Sequence, residues 1–156
     1  MLTRFQLIGE TYYYFNDAGA MCTGWLKLGE KWYYLAASGA RLDGWQKIGG
    51  AWYYLDGYEG MATGFRKINN VRYYFKDSGA MAVGWFTGYR TVYKLDGTVV
   101  RETIWYYADS SGALQTGWLK QGSVWYYLDK SGIMVTGRTK INGTWYTFSE
   151  SGVWIP

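Results

Sequence analysis

The chain has 156 residues, among them ten Trp, 17 Tyr, six Phe, 22 Gly, one Pro, one Cys and no His, and its 16 basic and 12 acidic side chains give a formal charge of +4. Without imidazole and with a single thiol, Cys22, it cannot assemble a Ser-His-Asp triad, a Cys-His pair, an ordinary zinc site or an internal disulfide, so no metal and no cofactor is expected. The charge is small and contains no like-charge run, which argues against nucleic acid as a partner, and no stretch approaches the ~18 apolar residues of a membrane span.

In chain order the elements recur with a period of 20 residues. Triplets stand at Tyr12-Tyr13-Tyr14, Trp32-Tyr33-Tyr34, Trp52-Tyr53-Tyr54, Arg72-Tyr73-Tyr74, Val92-Tyr93-Lys94, Trp105-Tyr106-Tyr107, Trp125-Tyr126-Tyr127 and Trp145-Tyr146-Thr147. Successive triplets are 20 residues apart except for one interval of 13, from Val92 to Trp105. This spacing predicts a single domain, 1–156, of about eight units, with an irregular segment at 84–104 where one unit is cut short. A glycine-led pair precedes most triplets, at Gly24-Trp25, Gly44-Trp45, Gly64-Phe65, Gly84-Trp85, Gly117-Trp118 and Gly137-Arg138.

Between pair and triplet lie Gly9-Glu10, Gly29-Glu30, Gly49-Gly50, Asn69-Asn70, Gly122-Ser123 and Asn142-Gly143. Gly and Asn tolerate the positive φ of two-residue hairpin turns, so each unit is expected to be a β-hairpin. Closing the turn at Gly29-Glu30 places Leu28 opposite Lys31 and Trp25 opposite Tyr34. Alternation then puts Trp25, Trp32 and Tyr34 on one face and Leu26, Leu28, Tyr33 and Leu35 on the other. Both faces are apolar and a lone hairpin is marginal in water, so the units must stack. The expected fold is an all-β solenoid superhelix of stacked hairpins.

Stacking brings the Trp face of one hairpin towards the middle Tyr of the next. Trp25, Trp32 and Tyr53 then wall a cavity floored by Met61; Trp45, Trp52, Tyr73 and Met81 make a second; Trp118, Trp125, Tyr146 and Trp154 make a third. Phe5, Tyr12 and Tyr33 form a weaker set, because Arg41 stands where the other loops carry Met and would repel a cation. Several electron-rich rings around one point suit a quaternary ammonium ion, which makes no ordinary hydrogen bonds and is held by ring quadrupoles.

The run from Gly117-Trp118 through Trp125-Tyr126-Tyr127-Leu128-Asp129 to Gly132, Met134, Thr136 and Gly137 resembles the choline-binding repeats of streptococcal and phage surface proteins. That resemblance implies stacked hairpins, inter-repeat aromatic sites, choline or phosphocholine on teichoic and lipoteichoic acids as partner, and a secreted protein held at the bacterial cell wall. Phe65 with Arg72, and Trp85 with Val92, each lack a ring, so a non-binding centre is expected. Glycan-binding repeats of the glucan-binding and toxin receptor-binding types are similar in hairpin length, but sugars need amide, hydroxyl or carboxylate groups beside each ring. Here the flanking positions are mainly Lys, Leu, Ile and Gly. A third reading is an adhesion or spacer protein with a host or surface protein partner near Arg90, Lys94 and Arg101. No acid pair departs from the repeat, so no catalytic residues are expected and any hydrolase activity would sit in another domain.

Overall fold

The computed structural model describes residues 2–156, and they are all-β. The strands are β1 (Arg4–Ile8), β2 (Thr11–Phe15), β3 (Gly24–Leu28), β4 (Lys31–Leu35), β5 (Gly44–Ile48), β6 (Ala51–Asp56), β7 (Gly60–Met61), β8 (Gly64–Ile68), β9 (Val71–Phe75), β10 (Gly84–Tyr93), β11 (Val99–Ala108), β12 (Gly117–Gln121), β13 (Val124–Leu128), β14 (Gly137–Ile141), β15 (Thr144–Phe148) and β16 (Trp154–Ile155). They pair as seven hairpins among the described residues: β1-β2, β3-β4, β5-β6, β8-β9, β10-β11, β12-β13 and β14-β15, with β7 and β16 added to the edges of β6 and β15. Two compact units result, one of Met1–Arg66 with Tyr74–Met81, the other of Lys67–Tyr73 with Ala82–Pro156.

Turn chemistry sets the register. Gly49-Gly50, Asn69-Asn70 and Asn142-Gly143 have positive φ at both positions, as a type I′ turn requires, whereas at Gly29-Glu30 only the glycine does, at +60°. The pairing across that turn is Leu28 with Lys31, Lys27 with Trp32, Leu26 with Tyr33 and Trp25 with Tyr34, as the sequence predicts.

The expected count of eight units is corrected to seven. β10 and β11 are each ten residues long and pair Trp85 with Tyr107, Thr87 with Trp105 and Val92 with Val100. The triplet at Val92 is therefore the outer end of this hairpin. The supposed short step is instead an insertion of 13 residues: Trp85 and Trp105 lie 20 apart where Trp25 and Trp32 lie seven apart. The segment 84–104, expected to be irregular, is a regular β-ladder from Gly84 to Tyr93.

The residue after six of the triplets, at Leu35, Leu55, Phe75, Ala108, Leu128 and Phe148, is almost completely withdrawn from water, and Tyr33, Ala62, Ala82, Ile104, Tyr106 and Ile141 are buried with them. Burying one large apolar side chain per repeat contributes about 1.5–3 kcal/mol each, and each hairpin gains it only with its neighbours in place. The loops that follow are capped by Asn16, Asp56, Asp109 and Asp129, whose side-chain oxygens accept backbone N–H groups two to four residues on. Asp17 and Asp77 stand one position after the capping place; in the first loop Asn16 caps instead, and in the other Ser78 accepts the N–H of Ala80. Backbone N–H groups of Glu59 and Tyr58 hold the Asp56 carboxyl below its ordinary range, and the Ser111 hydroxyl does so for Asp109.

Candidate aromatic binding sites

Backbone hydrogen bonds clip each loop onto the hairpin before the one it follows. The N–H of Arg41 bonds Tyr12 O, that of Met81 bonds Trp52 O, and that of Met134 bonds Trp105 O, each at 2.8 Å. Gly60 lies equally close to Trp32: a Cβ there would sit 2.8 Å from Trp32 O. One residue of each loop is thereby delivered to the first ring of a triplet in the preceding hairpin.

In the first unit, Trp25 and Trp32 meet nearly at right angles with centroids 6.3 Å apart, and Tyr53 of the next hairpin closes on Trp25 at 5.0 Å. Met61, paired with Leu55 in β7, lies beside them, and its side chain rests flat on Gly79, where any Cβ would collide with the sulfur. Trp45 and Trp52 repeat the corner at 6.4 Å and 83°, with Met81 clipped to Trp52. Tyr73, expected as the third wall there, belongs to the second unit.

In the second unit the same arrangement returns. Trp118 lies 6.3 Å from Trp125 at 85° and 5.0 Å from Tyr146, and Trp154, in β16, adds a fourth ring 5.8 Å from Trp118. The outer Trp rings keep more than a third of their surface in water: Trp32 is 38% exposed and Trp125 37%. Rings that served only to cover a neighbour would be sealed. Lys27 Nζ stands 5.8 Å from the Trp32 centroid and Lys120 Nζ 5.6 Å from that of Trp125, so cations already reach these faces.

Two of the junctions are built with residues that the repeat pattern did not place there. The junction at Trp85 is not short of a ring, although Phe65 still meets Arg72 where other units carry Trp: because Thr87 pairs with Trp105, the long hairpin presents Trp85 and Trp105 on one face, Tyr126 approaches Trp85 at 4.9 Å, and Met134 is clipped to Trp105. Trp85, Trp105, Tyr126 and Met134 thus form a ring set that triplet counting missed. The signal that would have found it is the pair Gly84-Trp85, whose next full aromatic triplet downstream begins at Trp105.

The set of Phe5, Tyr12 and Tyr33 is filled from within. The Arg41 guanidinium lies 4.5 Å over the Tyr12 ring and 5.6 Å from that of Phe5, donates to Gly57 O at 3.1 Å and pairs with Asp43 at 3.0 Å. Arg41 itself therefore covers the faces of Tyr12 and Phe5. In the central hairpin Arg90 is paired with Glu102 and Arg101 lies on Tyr89 at 3.9 Å, so neither is a bare basic group.

A family model described as choline-binding repeat matches residues 2–43, 62–103 and 115–154. The chain belongs to that family. A second model, described as putative cell wall binding repeat, matches 43–57 and 103–114. Among solved structures, choline binding protein F from Streptococcus pneumoniae is 32% identical, covering 99% of this chain and 48% of its own, with a TM-score of 0.82. CbpJ from Streptococcus pneumoniae TIGR4 is 36% identical with the same coverage and a TM-score of 0.80, and the choline-binding domain of CbpL from Streptococcus pneumoniae is 26% identical, covering 99% and 78%, at 0.64. The chain spans about half the length of the first two. Among curated protein sequences none matches significantly.

Proposed function

We propose that this repeat array is a non-catalytic module that holds choline of teichoic and lipoteichoic acids in its aromatic corners, and so attaches a protein to the outside of a bacterial cell wall. The ligand-binding groups are Trp25, Trp32, Tyr53 and Met61; Trp45, Trp52 and Met81; Trp118, Trp125, Tyr146 and Trp154; and the set Trp85, Trp105, Tyr126 and Met134. The recurrence of one geometry carries the reading: a perpendicular Trp pair at 6.3 Å with a Tyr at 5.0 Å appears once in each unit, with the outer ring still wet. A quaternary ammonium gains about 0.5–2 kcal/mol per well-placed ring, so one site is expected to bind at roughly millimolar strength, about −4.1 kcal/mol. Firm attachment then comes from several sites engaging one polymer. The test is retention on a tertiary-amine resin: the protein should bind and be released by free choline. Elution by salt but not by choline contradicts the reading.

A further inference from the structure

Strand pairing sets one more residue beside the aromatic corners. The residue directly opposite the outer Trp is Lys27 at Trp32, Lys47 at Trp52 and Lys120 at Trp125. Paired residues share a face of the hairpin, as do residues two apart on one strand. Each lysine therefore stands on the face that carries both Trp rings of its corner. Lys27 Nζ lies 5.8 Å from the Trp32 centroid and Lys120 Nζ 5.6 Å from that of Trp125. All three lysines are exposed, and among the described residues no carboxylate forms an ion pair with any of them.

An ammonium group beside the rings repels a bare cation and attracts a ligand that carries an anion next to its cation. A lysine stem could serve only to cover a ring edge, but Leu7, opposite Tyr12 in the corner covered by Arg41, does that without a charge. The Trp85–Trp105 corner has the neutral Thr87 in this place. When choline is esterified to a phosphate, a short carbon link joins the two charges, so a quaternary ammonium seated on the rings leaves the phosphate at the rim of the corner. A lysine, with three donors on a flexible stem, suits a phosphate oxygen there.

We infer that Lys27, Lys47 and Lys120 bind the phosphate of phosphocholine, so that their corners take the zwitterion in preference to choline itself, while the corner with Thr87 takes both alike. This rests on the choline reading and assigns the anionic half of the ligand. Choline and phosphocholine are titrated separately into the full chain at one ionic strength and followed by the indole N–H resonances. Phosphocholine should bind about two- to fivefold more tightly than choline at Trp32 and Trp125, the range of an exposed ion pair, and equally at Trp105. Lys27→Met and Lys120→Met keep an apolar stem beside the ring; each should abolish the preference at its own Trp, leave the other corner unchanged and bind choline no more weakly than the parent. Thr87→Lys should create a preference at Trp105. Equal affinities for the two ligands at Trp32 and Trp125 overturn this inference and leave the choline reading standing. A preference that the Met variants keep, or one of the same size at Trp105 in the parent, also overturns it. Tryptophans that answer neither ligand overturn both readings.

Discussion

Replacing Arg41 by Met should turn an occupied corner into a working one. In the native chain the guanidinium covers Tyr12 and Phe5 and is tied to Gly57 O and Asp43. Its side chain is 13% exposed and that of Asp43 49%, so the ion pair is only partly screened. Losing these charge-assisted bonds should cost about 1–3 kcal/mol, with no buried carboxylate left behind because Asp43 faces water. The variant gains a Met where other loops carry one, under rings already in contact, Phe5 and Tyr33 being 5.3 Å apart. A site filled at a hundredfold excess over its dissociation constant contributes about 2.7 kcal/mol, comparable with the loss. R41M should therefore melt below the parent in buffer, and the gap should close as choline is added, with calorimetry counting one more site. A gap that choline leaves unchanged, with an unaltered site count, refutes the idea that Arg41 stands in for the ligand.

Trp125→Ala and Trp105→Ala should each remove one choline site and weaken retention on choline-bearing walls by more than one site's share, whereas Val92→Ala, near the tip of the long hairpin opposite Val100, should leave retention nearly unchanged; equal losses in all three argue against the assignment. Gly79→Ala, at φ +80° with a Cβ inside the Met61 side chain, should cost about 1–3 kcal/mol and weaken binding at Trp25 and Trp32, while Gly97→Ala, at φ +82° with open space around it, should cost backbone strain without touching choline affinity. The lowered carboxyls of Asp56 and Asp109 stabilise the fold above the unfolded value of about 4 and lose that contribution as pH falls through their folded values; denaturant midpoints should drop on acidification, and less steeply in Asp109→Asn, so parallel profiles would count against the caps.

Much of this fold is legible in the chain because hairpin turns act locally. Gly29-Glu30 fixes the pairing of Trp25 with Tyr34 within twelve residues, and the apolar position after most triplets is buried. The count failed where the partner is distant. Tyr93 falls 20 residues after Tyr73 and so mimics a triplet in phase, but strand pairing is decided across the hairpin, and Trp85 finds Tyr107 rather than anything near Val92. Arg41 illustrates a second limit. Its charge is visible in sequence, yet the direction of a long flexible side chain depends on Gly57 and Asp43, which present the acceptors that hold it over Tyr12.

The central claim is that choline enters the corners between perpendicular Trp pairs, and the indole N–H spectrum of the ten tryptophans during a choline titration tests it most directly. Trp25, Trp32, Trp45, Trp52, Trp85, Trp105, Trp118 and Trp125 should shift along saturable curves in the millimolar range. Trp145, which carries Arg138 at 4.8 Å and Lys140 at 5.9 Å over its ring, should not move. A spectrum in which the corner tryptophans stay fixed, or in which Trp145 responds as they do, would contradict the account.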